Sequence, residues 1–299
     1  MGNLPSVRSI PARPVSNVGV DYYGPFSIEE KKFRNRTRVK VYVAVFVCLV
    51  IKAVHLKVVS DMTSDGFIAA LKRLIARRGK PSNIYSDNGK NFIGAHNELL
   101  EIYVLLNSEA HQKRCQHFLT HEAITWHFIP PLSPHFGGIW ESAVKCFKHH
   151  FKRVVSEQLF TFEEFNTFVI EVEGILNSRP LSPMSTDPND LTVLTPGHFL
   201  IGDALTSLPE VNFTETSHNR LSSWQHIQKI RQHFWTRWSK EYLNELNIRH
   251  KWKTGQHGIK EGTIVLLKEE NLLPTQWVLG LVIKTHPGND HVIRTVTVK

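Results

Sequence analysis

Two adjoining stretches, "VYVAVFVCLV" at residues 41–50 and "KAVHLKVVS" at residues 52–60, decide the fold of this chain. The first is apolar on both faces, which is typical of a central strand. The second alternates, with Val54, Leu56 and Val58 on one face, and predicts a half-covered strand. Before them, "NVGVDYYGPF" predicts a short strand that ends at its Gly-Pro pair. Three consecutive strands with short links indicate an antiparallel meander.

Helices and further strands alternate after this meander. Residues 64–78 carry an apolar stripe at helical spacing, and Gly79 followed by Pro81 provides the stop. Then "SNIYSDNG" predicts a short buried strand, "NELLEIYVLL" a helix, "AITWHFI" a strand and "IWESAVKCFK" a helix. Thr161 and Glu164 are spaced as a capping box at the start of one more helix. The order βββαβαβα predicts an α/β core with a mixed sheet.

The composition points to a polyanionic partner. The chain of 299 residues carries a net charge of +9, which favours nucleic acid over a membrane surface. The longest apolar run is interrupted by Lys52 and is too β-branched for a membrane helix. Cys48, Cys115 and Cys146 lie far apart, which argues against a disulfide framework and fits a reducing compartment. The N-terminus lacks the apolar core of a signal peptide, so the sequence predicts a soluble intracellular protein.

The composition and the apolar periodicity of the sequence change after Asn177. Residues 178–220 hold five prolines with little periodicity, and an amphipathic helix is predicted in "LSSWQHIQKIRQHFWTRWSKEYLNEL". The stretches "GTIVLLK", "WVLGLVIKT" and "HVIRTVTV" predict the strands of a small β-barrel. The predicted divisions are an extended segment at 1–16, a core at 17–180, a Pro-rich connector with a basic helix at 181–255, and the barrel at 256–299.

Three acids stand at the ends of predicted elements. Asp21 lies on the first strand, Asp87 follows "NIYS", and Glu141 falls in the first turn of its helix. Converging carboxylates repel one another and are stable mainly when divalent cations neutralise them. Taken singly, Asp87 also fits an Asx turn, and Glu141 also fits an acid favoured by the helix dipole. Their joint occurrence favours a metal site for phosphoryl transfer.

The sequence resembles the integrases of retroviruses and LTR retrotransposons, specifically the BEL/Pao type. The stretches that carry the resemblance are "VGVDYYGPF", "GKPSNIYSDNGKNFIGAHNEL", "WHFIPPLSPHFGGIWESAVKCFK", "NSRPLSP", "LTPGHFLIGD" and the last forty residues. The resemblance implies a ribonuclease H-like core, with a mixed five-stranded sheet flanked by helices, then a linker helix and an SH3-like β-barrel. It also implies that Asp21, Asp87 and Glu141 hold Mg²⁺ or Mn²⁺, as two ions that activate water and then a DNA 3′-hydroxyl.

DNA contacts are predicted around the third acid and on the basic helix. Gly137 and Gly138 leave the helix N-terminus open to a DNA backbone. Lys145 and Lys148 share the helical face of Glu141 and match lysines that hold the DNA end in the family, although such a ladder can also be a solvated basic face. The predicted DNA-binding set is Asn88, Gly137, Gly138, Lys145, Lys148, Lys152, Arg231 and Arg237.

The basic helix supports DNA binding by its charge. From Arg220 to Lys260 there are nine Lys or Arg and two acids, a net of +7. For its tryptophans, Trp224, Trp235 and Trp238, helical spacing favours a packing face over base stacking.

Two departures from the family pattern stand out. The 53 residues between the second and third acids exceed the retroviral spacing, and the excess predicts a surface extension. The family's N-terminal zinc-binding module is absent, which suggests a fragment of a polyprotein or a decayed insertion. A substitute site on His111, Cys115, His117 and His121 is not favoured, because their spacing also arises on an ordinary polar helix without a Cys pair.

The resemblance implies an enzyme, a polynucleotidyl transferase and endonuclease that carries out 3′-end processing and strand transfer. Its partners would be the element's terminal DNA and target DNA, with homo-oligomerisation and no membrane association. It would act in the nucleus after cytoplasmic transit. One alternative is a catalytically inactive nucleic-acid-binding relic. Another, a ribonuclease H-type nuclease, shares the metal site but leaves the C-terminal region unexplained.

Overall fold

The computed structural model describes residues 10–30, 37–87, 92–98, 124–128, 138–155, 160–185, 187, 190–246, 259–289 and 293–299, with only the backbone given for 138–146 and for 218. The chain divides into two compact units, Met1–Glu173 and Gly174–Lys299.

The described elements of the first unit follow the predicted order, but most of the helix predicted at "NELLEIYVLL" (97–106) lies outside the described residues. They are β1 (Asn17–Glu29), β2 (Arg38–Cys48), β3 (Val54–Val59), α1 (Ser64–Arg78), β4 (Asn83–Ser86), α2 (92–98), β5 (Thr125–Phe128), α3 (Gly138–Val155), β6 (Phe160–Thr161) and α4 (Phe162–Asn177), the last of which runs into the second unit.

The first unit is built on a mixed sheet with the strand order β3-β2-β1-β4-β5. β1, β2 and β3 form the predicted antiparallel meander, whereas β4 and β5 run parallel to β1. The short strand β6 pairs in parallel with the far end of β1. This mixed five-stranded sheet with its flanking helices is the ribonuclease H-like fold, so the predicted fold class is confirmed.

The prediction that β1 ends at Gly24-Pro25 is wrong. The strand continues to Glu29, because its pairing with β2 breaks between Tyr23 and Phe26 and then resumes. Gly24, at φ 142°, adopts a backbone conformation that other residues rarely take, so the strand can pass this irregularity.

The prediction that β3 is half-covered is also wrong, since all six of its residues are buried. On the face that carries His55 and Lys57, His55 Nδ1 donates a hydrogen bond of 3.0 Å to the carboxylate of Glu173 on α4. The same carboxylate accepts the Leu56 N–H at 2.8 Å and Arg78 Nη2 at 3.1 Å. Lys57, beside them, has its pKa lowered by burial and by nearby arginines. A polar cluster therefore covers the face of β3 that the alternating sequence pattern predicts to be exposed to solvent.

Helix ends follow the local signals in the sequence. Thr63 caps α1 by accepting the Gly66 N–H, and the N–H of Gly79 closes the other end on the Ile75 carbonyl. At α4 the capping box is present, with the Thr161 N–H donating to Glu164 at 2.9 Å. The predicted starts and stops of these helices are confirmed.

The second unit contains a long helix and a small sheet. Its elements are β7 (Ser182–Pro183), β8 (Val193–Leu194), α5 (Pro196–Ile201), a 3₁₀ turn (His218–Arg220), α6 (Ser223–Leu246), β9 (Ile264–Leu267), β10 (Val278–Pro287) and β11 (Ile293–Val298). β9, β10 and β11 form an antiparallel sheet, which confirms three predicted strands. Closure into an SH3-like barrel stays a prediction.

Aromatic packing anchors α6 within this unit. Trp235 and Trp238 are buried, as the packing interpretation expects, and both rings contact Trp277. Trp224 is 47% exposed and does not belong to this core. Among the helices that the structure describes, none has the length and apolarity to cross a membrane.

Candidate metal and nucleic-acid site

Asp21 and Asp87 are related by the register of two neighbouring strands. The parallel pairing of β1 with β4 matches Val18 to Ile84 and Gly19 to Tyr85. Asp21 lies two residues beyond Gly19 on β1, and Asp87 lies two residues beyond Tyr85, just after the end of β4. Because side chains on a strand alternate between faces, a continued register would put the two carboxylates on the same face of the sheet. Parallel pairing thus sets the segments that lead to these two acids, 66 residues apart in sequence, next to each other.

A lysine ammonium already contacts the first of these carboxylates. Lys148 Nζ lies 2.7 Å from Asp21 Oδ2, and the other oxygen, Oδ1, accepts the Tyr22 N–H at 2.7 Å. The side chains of Asp21 and Lys148 are 28% and 30% exposed. Solvent can therefore reach this ion pair.

Tyr23 fixes α3 against β1 beside this pair. Its hydroxyl donates to the Lys148 carbonyl at 3.0 Å, and its ring contacts Phe147 and Phe151 edge-on. Lys148 Nζ lies 5.8 Å from the centre of the Tyr23 ring, within reach of a cation–π contact. Burial raises the pKa of Tyr23, so the hydroxyl stays a donor at neutral pH. The position of the ammonium is thus set by packing as well as by charge.

Glu141, the third predicted acid, lies on α3, but its side chain is outside the described residues. It precedes Lys148 by seven residues, or two helical turns and about 10.5 Å along the axis. Positions seven apart share a helical face, so the backbone places Glu141 on the face that carries Lys148. Among the side chains that the structure describes, no group of three or more His, Cys, Asp or Glu could hold a metal ion.

Several predicted contacts cannot be placed. Asn88 and Gly137 lie outside the described residues, as does the side chain of Lys145, whereas Gly138 begins α3. The four His and Cys residues between 111 and 121, whose spacing did not favour a substitute zinc site, also lie outside them.

The basic residues that the structure does place differ in accessibility. Lys152 on α3 and Arg237 on α6 are exposed, so both can reach a phosphate. Arg231 is 8% exposed and forms a buried ion pair with Glu210. That position does not suit the predicted DNA contact, because a phosphate would have to displace a carboxylate inside the unit.

Asp21 and Asp87 are chemically suited to a divalent cation. Carboxylates supply the hard oxygen ligands that Mg²⁺ prefers. The ammonium at Asp21 shows that a positive charge is accommodated there at contact distance. Asp87 is exposed directly after β4.

Sequence reasoning missed the neighbours of these two acids. Tyr85 and His127 are partners on β4 and β5, and their rings stack at 4.6 Å. Asn83, one row back, bonds both His127 and Asn17. The alternation within "SNIYSD" and "TWHF" was the available signal, since it puts these side chains on one face of the sheet.

Two separate parts of the chain match different family models. Residues 20–134 match the family described as "Integrase core domain". Residues 222–299 match a "Family of unknown function (DUF5641)". No curated protein sequence matches the chain.

Similar solved structures include integrases of three viruses. One is a simian T-cell lymphotropic virus intasome in complex with PP2A regulatory subunit B56 gamma, at 18% identity and a TM-score of 0.39, covering 69% of this chain and 61% of that chain. The catalytic core domain of BIV integrase is 14% identical, with a TM-score of 0.37, and the match covers 63% of this chain and 95% of that chain. The HTLV-2 integrase catalytic core domain in complex with magnesium is 19% identical, with a TM-score of 0.35, and the match covers 63% of this chain and 97% of that chain. The chain thus spans about three fifths of the intasome chain's length.

Proposed function

We propose that this protein is a retroelement integrase of the BEL/Pao type, which processes DNA 3′ ends and joins them to target DNA. The observation that carries the proposal is the ion pair of Asp21 with Lys148, on a strand whose parallel neighbour β4 ends just before Asp87. The match of residues 20–134 to an integrase core domain supports it. A phosphodiester carries negative charge and is repelled by carboxylates. Cations at the carboxylates would therefore be needed before DNA can bind at this site.

In this proposal Asp21, Asp87 and Glu141 hold two Mg²⁺ or Mn²⁺ ions. When bound, such ions activate the attacking oxygen and stabilise the leaving oxygen of an in-line displacement. The protein's own residues orient the DNA. Lys148, released from Asp21, takes a phosphate of the DNA end, while Tyr23 keeps α3 against β1.

The remaining assignments extend this proposal to the whole chain. The predicted divisions, with a core at 17–180 and an SH3-like barrel at 256–299, belong to it. Exposed basic residues such as Lys152 and Arg237 would contact the DNA backbone. The active form would be a homo-oligomer that works in the nucleus.

A strand-transfer assay tests the proposal. Purified protein, the element's terminal DNA and Mg²⁺ or Mn²⁺ should give shortened 3′ ends and joined products. Glu141→Gln keeps the size of the side chain but removes a charge, so it should abolish both products while DNA affinity persists. Tight DNA binding by the wild type without any metal-dependent product would instead identify an inactive relic.

A further inference from the structure

Tyr85 and His127 form a flat ring pair on the polar face of the sheet. They are register partners on the parallel strands β4 and β5, and their planes lie within 11° of parallel at 4.6 Å between ring centres. Gly19 is the partner of Tyr85 on β1 and has no side chain. Of the three residues in this row, only Tyr85 and His127 therefore carry side chains.

A chain of hydrogen bonds holds the outer ring in place. His127 Nε2 lies 3.0 Å from Asn83 Oδ1, and Asn83 Nδ2 donates to Asn17 Oδ1 at 2.8 Å. With the amide oxygen of Asn83 as acceptor, the proton of His127 is on Nε2. Asn17 is buried, so the chain ties an exposed ring to the interior of the sheet.

The ring pair offers an aromatic face to solvent. His127 is exposed, and Tyr85 is half-buried beneath it, with burial raising the pKa of the Tyr85 hydroxyl. An exposed ring that only filled space would not need a fixed orientation. Flat aromatic faces held in this way are the surfaces on which unpaired bases stack.

The location of the pair selects the ligand. Asp21 and Asp87 each follow the row of Tyr85 and His127 by two residues, on β1 and just past the end of β4, or about 6.6 Å in the strand direction. We propose that Tyr85 and His127 form a stacking platform for one unpaired base of a DNA end whose phosphate lies at the two carboxylates. This inference rests on the proposed function, which puts a DNA end at those carboxylates.

Fluorescence of 2-aminopurine tests the platform, because stacking quenches this base. The probe is a DNA duplex with a short single-stranded tail that carries 2-aminopurine, titrated with the full chain without divalent metal so that no cleavage occurs. The wild type should quench the probe. His127→Leu removes the aromatic face and should abolish the quench and weaken binding of the tailed DNA about tenfold.

Two further variants separate stacking from folding. His127→Phe loses the bond to Asn83 but keeps a flat ring. Because the ring is what stacks, this variant should quench the probe as the wild type does. Thr125→Ala changes an exposed residue one row back on the same strand and should behave as wild type. The platform is refuted when His127→Leu quenches as the wild type does, when the wild type does not quench, or when His127→Phe fails as badly as His127→Leu.

Cleavage measured in parallel distinguishes the two hypotheses. A wild type that processes DNA ends, but whose quench does not depend on His127, keeps the proposed function and loses the platform. A wild type that never cleaves, but whose quench requires an aromatic residue at 127, keeps the platform as a single-strand binding site and loses the integrase function.

Discussion

The Lys148 ammonium and the Asp21 carboxylate are 127 residues apart in sequence and 2.7 Å apart in space. In the absence of a metal ion, this lysine neutralises a carboxylate that the proposed function assigns to metal binding. In the proposed function, a metal ion at Asp21 would take the place of Lys148. The freed ammonium would then be available to a DNA phosphate, and metal loading and DNA contact would be coupled through one side chain.

Lys148→Met should tighten the binding of Mn²⁺ to the DNA-free protein. The substitution removes a competing cation, and because the pair is partly solvated, the gain should be about two- to fivefold. Titration followed by the electron paramagnetic resonance of free Mn²⁺ would measure it. Lys152→Met, on the same helix and exposed, controls for the loss of one charge. Equal affinities in the two variants would show that Lys148 does not compete.

Loss of the lysines should also change the salt dependence of DNA binding. Lys145→Ala with Lys148→Ala should weaken binding across sequences. For each phosphate that the variant no longer neutralises, the slope of log affinity against log salt should flatten by about 0.9 on duplex DNA. Fluorescence anisotropy at several salt concentrations gives this slope. An unchanged slope would identify the ladder as a solvated basic face.

Tyr23→Phe should loosen α3. The variant keeps the ring contacts with Phe147 and Phe151 but loses the hydrogen bond to the Lys148 carbonyl. We expect a fall of about 1 kcal/mol in the free energy of unfolding, measured by urea denaturation. Tyr42→Phe is the matched control, since this half-buried tyrosine on β2 has no comparable bond in the described part of the chain. A Tyr23 variant as stable as the control would contradict the role given to the hydroxyl.

Glu173→Gln should destabilise the first unit and alter its response to acid. Burial acts to raise the pKa of Glu173, but bonding to His55 and Leu56 and the charge of Arg78 outweigh it and hold the pKa below its usual value. The stabilisation is thus complete above the unfolded pKa and is lost as the pH falls through the lower, folded pKa. We expect a loss of about 3 kcal/mol at neutral pH and a flatter acid limb.

Urea denaturation from neutral to acidic pH would check this result. Glu163→Gln, exposed in the first turn of the same helix, should leave the acid limb unchanged. Parallel acid limbs for the wild type and the Glu173 variant would exclude the assigned coupling.

Arg231→Ala and Arg237→Ala should separate stability from DNA binding. The first leaves Glu210 as an unpaired buried charge and should cost about 3 kcal/mol of stability. The second removes an exposed charge and should lower DNA affinity at unchanged stability. Thermal melting and anisotropy on the same samples distinguish them. A stable Arg231 variant with weakened DNA binding would return this residue to the DNA-contact set.

Local signals in the sequence predict the helices of this protein well. The boundaries of α1 and α4 follow from Gly79 and from the Thr161–Glu164 box, because capping depends on residues within one turn. The antiparallel meander of β1, β2 and β3 likewise follows from three apolar stretches in succession, since short links leave few topologies open. The sequence predicts a mixed sheet but not the positions of β4 and β5 beside β1, because long connections precede these two strands.

Contacts between distant residues could not be predicted. Alternation along β3 cannot show that Glu173, more than a hundred residues later, buries the second face. In the same way, a count of charges on α6 treats Arg231 and Arg237 alike, although the structure buries Arg231 against Glu210 and leaves Arg237 exposed. Such pairs depend on the folded geometry, and the sequence reports only the type of each residue.

Among the strands that the structure describes, β3 is the outermost on its side of the sheet. Its Leu56 N–H is taken by Glu173, and its Val58 carbonyl accepts Arg73 Nη2 at 3.3 Å. An unpaired strand edge is a template onto which another chain can add a strand, and these two side chains occupy the groups that would receive it. These bonds hinder copies of this protein from joining edge to edge into a continuous sheet. By this reasoning Glu173 opposes aggregation in addition to stabilising the fold.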